Sequence, residues 1–226
     1  MLHPFKAFFI ASAAILAGCS GHTECNPEKT LWYDSPAQAW EETLPVGNGR
    51  MGMMPYGQVD REKVILNEIS LWSGSKADYA NPDAAESLPV IRELLKQGKN
   101  AEAQEVMYER FVPRKPTGGG TYGSYEVLGQ LVVDFAYDTE ADVEGYTRGL
   151  DLETATAWTE FTRGGTRYSR QCYVSHPDDV MVMEIETEGP AKLDFTASLD
   201  RAGRCTLEAT EDGLLKMHGT LDSGAE

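Results

Sequence analysis

Two short segments of the sequence carry residue types suited to chemistry. The first, Gly47–Gly52, formally matches the G-x-G-x-x-G pattern of dinucleotide-binding loops. That fingerprint requires a strand before the glycines and a helix after them, whereas here Pro45 precedes them and Met53-Met54-Pro55 follows. We therefore interpret the segment as a tight turn that holds Asn48 and Arg50 in exposed, rigid positions suited to binding a polar ligand.

The second segment, Asn67–Gly74, joins a strand-like run to a glycine-containing loop and combines Asn67, Glu68 and Trp72. Aromatic rings pack against the C–H groups of sugars, while amides and carboxylates bind sugar hydroxyls, so this composition is typical of a carbohydrate site. The alternative interpretation places Trp72 in the core and Glu68 in solvent. Composition alone favours that alternative.

Both segments flank the same predicted β-hairpin, in which Met51–Tyr56 pairs with Lys63–Asn67 across a turn-like Gly57–Asp60. An antiparallel register brings the outer ends of the two strands to the same side. We therefore expect the candidate residues to lie together on one edge of the fold, as a rim that faces a substrate or contacts another domain. These residues are Asn48, Arg50, Asn67, Glu68 and Trp72.

Other chemistries have little support in the sequence. No G-x-S-x-G, HExxH or CxxC pattern is present, the four histidines are scattered, and no carboxylate pair stands out. We expect no metal and no cofactor. The net charge of −16, from 20 Lys plus Arg against 36 Asp plus Glu, argues against a nucleic-acid partner because phosphates need a basic face.

The cysteines leave two alternatives open. Cys172 and Cys205 fall in strand-like segments and could form a disulfide, because an exported protein can keep one. Two buried unpaired thiols are equally compatible with the sequence, since connectivity cannot be deduced from spacing alone.

The N-terminus has the pattern of an export signal. Lys6 provides a basic start, a short apolar run follows, and Leu16-Ala17-Gly18-Cys19 resembles a bacterial lipobox. We expect residues 1–18 to be a lipoprotein signal peptide, Cys19 to be lipidated, and residues 19–30 to be a tether. The predicted location is the outer membrane or periplasm of a Gram-negative bacterium, with membrane attachment through the lipid anchor only.

The rest of the chain is predicted to be mainly β. One helical stretch covers roughly residues 82–111, with Asn81-Pro82-Asp83 at its start; Pro89 suggests a short turn followed by a new helix near Ser87. After a glycine-rich loop, short alternating segments separated by turn signals such as Gly164-Gly165 indicate a large antiparallel β-sandwich. We count one domain over residues 31–226.

Several long segments resemble a known enzyme family. The run LPVGNGRMGMMPYGQVDREKVILNEISLWSG (Leu44–Gly74) resembles the N-terminal domain of glycoside hydrolase family 95, which contains α-L-fucosidases and related α-L-galactosidases. NPDAAESLPVIRELLKQGKNAEAQEV resembles the helical insertion of that family, and YEVLGQLVVDF its next strand. The segment YTRGLDLETATAWTEFTRGGTRYSRQCYVSHPDDVMVMEI resembles its hairpin series. The resemblance covers about residues 31–220.

This resemblance implies a β super-sandwich that precedes a linker and a catalytic (α/α)6 barrel. It also implies exo-hydrolysis of terminal α-L-fucosyl linkages with inversion, by a Glu general acid and a water activated by an Asp with help from Asn residues. None of those catalytic residues can be placed in this chain, so we expect a domain truncated before its C-terminal barrel and inactive alone. The expected partner is a fucosylated glycan. The alternative is a free-standing glycan-binding or structural lipoprotein module.

Overall fold

The computed structural model of the protein describes residues 27–74, 80–113, 123–210 and 213–221. The predictions for residues 1–18 and for Cys19 lie outside these described residues. A short 3-10 turn at Pro27–Lys29 leads into a strand at Thr30, so regular structure is already present before residue 30, the predicted end of the tether.

The predicted antiparallel β-sandwich is confirmed. Its strands, numbered in chain order within the described residues, are β1 (Thr30–Tyr33), β2 (Val46–Gly47), β3 (Met51–Pro55), β4 (Arg61–Glu68), β5 (Gly129–Phe135), β6 (Val143–Asp151), β7 (Thr156–Arg163), β8 (Thr166–Ser175), β9 (Val180–Glu188), β10 (Phe195–Asp200), β11 (Cys205–Ala209) and β12 (Leu215–Gly219).

The strands form two five-stranded sheets and a hairpin. Sheet I has the order β1-β6-β7-β8-β9, sheet II has the order β10-β5-β4-β3-β2, and β11 pairs with β12. All of the strand pairings between these elements are antiparallel. Both predicted hairpins are present, since β3 pairs with β4 and β7 with β8.

The core lies between the two sheets because each strand turns alternate side chains inward. In sheet II the buried residues include Met53, Val64 and Val133, and in sheet I they include Ala157 and Cys172. The alternating burial of β3 and β7 shows this period of two along the chain. Burial of these apolar side chains is the main force that holds the sheets together.

The predicted helical stretch forms a separate compact unit, chiefly residues 72–125, whereas the sandwich is built from the segments before and after it. Its helices are α1 (Ala84–Lys96) and α2 (Asn100–Val106), and a π-helical turn (Met107–Phe111) follows α2. Ile91 of α1 and Ala103 of α2 are buried in this unit.

The predicted interruption of the first helix near Pro89 is wrong. α1 runs without a break from Ala84, and Pro89 is its sixth residue. A proline there removes one backbone donor, which is tolerable because the neighbouring turn is held in other ways. Ser87 donates its N–H to the carbonyl of Asp83 at 3.1 Å and its hydroxyl to the carbonyl of Ala84 at 2.9 Å.

Candidate functional site

The G-x-G-x-x-G segment is a hairpin turn between β2 and β3. Val46 pairs with Met53 and Gly47 with Gly52, so Asn48, Gly49 and Arg50 form the connection. Gly49 has φ of 90°, a conformation that residues with a Cβ rarely adopt. A strand follows the glycines where a dinucleotide-binding loop requires a helix, so the interpretation as a turn is confirmed.

The side chain of Asn48 holds this turn and anchors it to sheet I. Its Oδ1 accepts hydrogen bonds from the backbone N–H groups of Arg50 at 3.0 Å and Met51 at 2.8 Å. Its Nδ2 donates to the carbonyl of Ser175 at 3.1 Å and to Oδ1 of Asp179 at 3.3 Å. These four bonds use the full capacity of an asparagine amide, so Asn48 fixes the turn and is not available to a ligand.

Arg50 connects the turn to two carboxylates from different elements. Register pairing of Met51 with Glu68 places Arg50 beside the end of β4, where its Nε donates to Oε1 of Glu68 at 3.2 Å. Its Nη1 donates to Oδ2 of Asp179. The hydrogen bond to Glu68 and the charge of Asp179 raise the pKa of Arg50 further above its usual range. Arg50 still exposes 54% of its side chain.

Glu68 is buried beneath this arginine and stays ionised. Its Oε2 accepts hydrogen bonds from the backbone N–H of Ser70 at 2.9 Å and from the Ser70 hydroxyl. Burial acts to raise the pKa of Glu68, but the hydrogen bonds from Ser70 and Arg50 outweigh it and lower the pKa below its usual value. A general acid needs a raised pKa, so Glu68 is suited to positioning and not to proton donation.

The structure therefore brings three of the five predicted residues, Asn48, Arg50 and Glu68, into one cluster. We call these three residues with Ser70 and Asp179 the turn cluster. Asn67 lies in β4 opposite Gly52, one residue before Glu68. Composition favoured a solvated Glu68, and that interpretation is wrong because its side chain is only 6% exposed.

Trp72 lies in the smaller compact unit, whereas Arg50 lies in the unit that contains the sandwich. The expectation that the two residues share a rim therefore stays a prediction. Its ring contacts that of Tyr125 edge to face, with 5.7 Å between centroids and 67° between planes. Trp72 is 56% exposed, and the alternative that places it in the core is therefore wrong. The pair presents aromatic surface to solvent in that unit.

Asp179 is the member of the turn cluster that sequence reasoning missed. It lies in the turn between β8 and β9, about 130 residues from Arg50, and adopts φ of 56°. The preceding Asp178 accepts a hydrogen bond from the hydroxyl of Ser175 at 2.6 Å. The Pro177-Asp178-Asp179 run signals a turn, but no local pattern identifies its partner in the β2–β3 connection.

A second charged cluster lies inside the sandwich. Glu62 and Arg170 are 1% and 3% exposed, and Nη1 of Arg170 donates to Oε2 of Glu62 at 3.0 Å. Oε1 of Glu62 accepts from the N–H groups of Tyr56 and Gly57, both at 2.9 Å. Arg170 also lies over the Phe135 ring, 3.9 Å from its centroid. This pair joins β4 of sheet II to β8 of sheet I.

This interior cluster has a structural role and not a catalytic one. Burial raises the pKa of Glu62 to about 7, although the charge of Arg170 and the two backbone N–H groups oppose the rise. Burial likewise raises the pKa of Tyr137, whose hydroxyl accepts from Arg170 at 3.1 Å, to about 12. A raised carboxyl pKa often marks an active site, but one sealed between two sheets cannot meet a substrate.

Both cysteines of the described part are free thiols, so the disulfide alternative is not formed in the structure. Cys172 is buried in β8 beside Met183, and burial raises the pKa of its thiol. Among the described residues no group of three or more His, Cys, Asp or Glu is placed to hold a metal ion. In the same residues, no helix has the length and apolar character needed to span a membrane.

The chain is similar in sequence to a family model and to three known proteins. A family model described as the N-terminal domain of glycosyl hydrolase family 65 matches residues 31–226. Alpha-L-fucosidase 2 of Arabidopsis thaliana is 32% identical over 171 residues, which are 75% of this chain and 20% of that protein. The probable alpha-fucosidase A of Aspergillus niger is 34% identical over 169 residues, 70% of this chain and 20% of that protein.

The probable alpha-fucosidase A of Aspergillus oryzae is 31% identical over 198 residues, which cover 83% of this chain and 24% of that protein. The chain thus spans about a fifth to a quarter of the length of these curated relatives. The resemblance to α-L-fucosidases expected from the sequence is confirmed by these matches, and all of them cover most of this chain.

Proposed function

The chain belongs to the family of glycosyl hydrolase family 65 N-terminal domains, and we propose that it is the N-terminal β-sandwich of an exo-α-L-fucosidase-like glycoside hydrolase. In that enzyme it supports a C-terminal catalytic (α/α)6 barrel and shapes the substrate pocket. The observation that carries the proposal is the sequence identity of 31–34% to one α-L-fucosidase and two probable α-fucosidases over most of this chain.

The proposed reaction is the inverting hydrolysis of terminal α-L-fucosyl linkages in fucosylated glycans. Inversion needs a general acid and a general base about 6.5–9.5 Å apart, so that a water fits between the base and the sugar. The turn cluster does not supply that pair, because Glu68 and Asp179 both bind Arg50 and Glu68 stays ionised. We therefore assign the acid and the base to the barrel.

The turn cluster has the properties of a surface that holds a neighbouring domain in place. Asn48, Arg50 and Glu68 fix one another through hydrogen bonds, and Arg50 exposes half of its side chain above a buried carboxylate. Such a pre-ordered group loses little conformational freedom when a partner binds. The cluster is proposed to contact the barrel beside the substrate pocket.

An activity assay on the complete enzyme tests this role. Arg50→Ala should lower kcat/KM for fucose release from 2′-fucosyllactose by about ten- to hundredfold, because small displacements of a catalytic constellation are costly. Lys192→Ala changes an exposed cation outside the turn cluster and should leave kcat/KM unchanged. Equal activity of the two variants would contradict the role of the turn cluster. Fucose release by the 226-residue chain alone would contradict the placement of catalysis in the barrel.

Export as a lipoprotein is the second part of the proposal, and it is supported by Leu16-Ala17-Gly18-Cys19 after the apolar run. The mature protein would begin at Cys19 and be held by its acyl chains in the outer membrane or on its periplasmic side. Mass spectrometry of the membrane fraction should find an acylated N-terminal Cys19. A soluble product with an unmodified Cys19 would contradict this part alone.

A further inference from the structure

The outward face of sheet I carries one row of residues that runs across all five strands. The pairing register places Trp32 opposite Gly149, Gly149 opposite Trp158, Trp158 opposite Gln171, and Gln171 opposite Glu184. Residues directly opposite each other in antiparallel strands share a face of the sheet. The adjacent row, which includes Arg148, Thr159 and Arg170, is buried, and Arg170 pairs with Glu62 of sheet II. The row from Trp32 to Glu184 therefore points away from the core.

Packing holds the aromatic end of this row in a fixed position. A Cβ on Gly149 would lie 2.6 Å from Cζ2 and 2.8 Å from Cε2 of Trp158, so the indole rests directly on the glycine backbone. The Nε1 of Trp158 has no hydrogen-bond partner within the described residues, so contact with Gly149 and not a hydrogen bond sets the ring orientation. Trp32, whose backbone lies two strand spacings or about 9–10 Å from that of Trp158, is 58% exposed.

The other end of the row is polar. Gln171 and Glu184 are both exposed, and the hydroxyl of Tyr173 donates to Oε1 of Glu184 at 3.2 Å. Gln171 and Glu184 line a shallow depression together with Ser169 and Glu186 of the neighbouring row. One strip of surface thus combines the exposed indole of Trp32, the half-buried indole of Trp158, an amide, two carboxylates and a hydroxyl.

We propose that this strip, defined by Trp32, Trp158, Gln171 and Glu184, is a non-catalytic binding site for a neutral oligosaccharide. Pyranose rings present apolar C–H faces that pack on indoles, and their hydroxyls donate to carboxylates and accept from amides. The Trp158 ring lies over Gly149, the residue that separates the two tryptophans in the row, so one oligosaccharide chain can contact both indoles.

The charge of the face selects a neutral ligand. Glu160, Glu184, Glu186 and Glu188 all lie on it, and the cation beside them, Arg167, is already paired with Glu160 at 3.0 Å and Glu188 at 3.3 Å. The resulting negative field repels uronic acids, sulfated glycans and phosphates. Neutral hydroxyls meet no such repulsion and find carboxylate acceptors.

A titration of the full chain by isothermal calorimetry tests the site, with cellohexaose and 2′-fucosyllactose as neutral probes and hexagalacturonic acid as the acidic probe. The unaltered protein should bind at least one neutral probe and reject the acidic one. Trp32→Ala should weaken that binding by about three- to tenfold through the lost ring contact. Gln171→Ala, a second variant at an exposed position where the fold is not at risk, should weaken the same binding.

Trp40→Ala is the matched control, because Trp40 is 57% exposed, close to the 58% of Trp32, and lies outside sheet I. The proposal is wrong if neither neutral probe binds, if Trp40→Ala weakens binding as much as Trp32→Ala, or if the acidic probe binds equally well. It is also wrong if Trp32→Ala leaves oligosaccharide binding unchanged and lowers only the melting temperature of the complete enzyme. The outward face of sheet I would then pack against another domain. Because the assay measures binding without hydrolysis, its outcome is independent of the proposed function.

Discussion

Replacement of Arg170 by methionine should expose the energetic cost of the charge buried between the sheets. Arg170 donates to Oε2 of Glu62 at 3.0 Å and also to the backbone carbonyls of Gln58 and Val59. Methionine fills a similar volume but leaves Glu62, which is 1% exposed, without its cation. Removal of one partner from a buried ion pair costs about 3–5 kcal/mol of unfolding free energy.

A matched double variant, Glu62→Gln with Arg170→Met, separates the charge from the hydrogen bonds. The Gln oxygen still accepts from the N–H groups of Tyr56 and Gly57, which now bind Oε1 of Glu62 at 2.9 Å. The double variant thus removes the buried charge and keeps these two bonds. Burial raises the pKa of Glu62 from 4.5 to about 7, and each pKa unit corresponds to about 1.4 kcal/mol of free energy. At pH 8 the double variant should therefore be more stable than Arg170→Met by about 3 kcal/mol.

The sign of the pH dependence follows from the pKa of Glu62, which burial raises from 4.5 to about 7 and which loss of Arg170 raises further. The folded state then holds this proton at a pH where the unfolded state has released it. Stability from this group is therefore fully present below about pH 4.5 and is lost as the pH rises through the folded pKa. The two variants should converge at pH 5.

Urea denaturation at pH 5 and pH 8, followed by tryptophan fluorescence and far-UV circular dichroism, measures these differences. If Arg170→Met fails to fold at pH 8, its signal should return as the pH is lowered to 5. Equal stabilities of the two variants at pH 8 would refute the reasoning, as would an Arg170→Met variant whose stability is independent of pH.

Three further predictions concern the packing of Gly149, the turn cluster and the two free thiols. Gly149→Ala should destabilise the sandwich by about 1–3 kcal/mol in thermal unfolding, because its Cβ meets Trp158, whereas Gly52→Ala, with its nearest atom at 3.4 Å, should change little. Asn48→Ala should cost about 1–3 kcal/mol in the same assay, since its hydrogen-bond partners lose their acceptor or donor; an unchanged melting temperature would contradict this. Iodoacetamide should modify half-buried Cys205 before Cys172 in the folded protein, as peptide mapping can show, because burial raises the pKa of the Cys172 thiol.

Hairpins with strong local turn signals could be predicted from the sequence. Gly164 and Gly165 adopt φ of 58° and 75°, the conformation that a two-residue hairpin connection requires and that glycine adopts without strain. Strand β6 was not predicted, because Gly145 and Gly149 interrupt its pattern and the inward Arg148 is polar. Arg148 is nevertheless buried, since its guanidinium donates to the carbonyls of Ser35 at 2.7 Å and Glu42 at 2.9 Å.

The burial of the charged residues in the turn cluster and in the interior cluster could not be predicted from the sequence either. A sequence pattern places Glu62, Arg170 and Glu68 at the surface by default, because isolated charges are costly to bury. Each is buried here because a partner more than about fifteen residues away supplies the opposite charge, as Arg50 does for Glu68. Pairing at such a separation is set by the sheet register and by the packing of the two sheets, which local periodicity does not determine.

The geometry of the turn cluster also limits which atoms of Arg50 can bind a partner. Its Nε and Nη1 are engaged by Glu68 and Asp179, while Nη2 makes no hydrogen bond within the described residues and the side chain remains half exposed. The two carboxylates hold the planar guanidinium at a fixed angle, so the orientation of Nη2 is fixed as well. With Asn48 fully committed to the turn, Nη2 is the group of this cluster best placed to bind a carbonyl or carboxylate of the proposed barrel. Asp179→Asn, which keeps a hydrogen-bond acceptor but removes one charge, should therefore lower kcat/KM for fucose release by the complete enzyme less than Arg50→Ala does, and an equal or larger loss would contradict this role of Nη2.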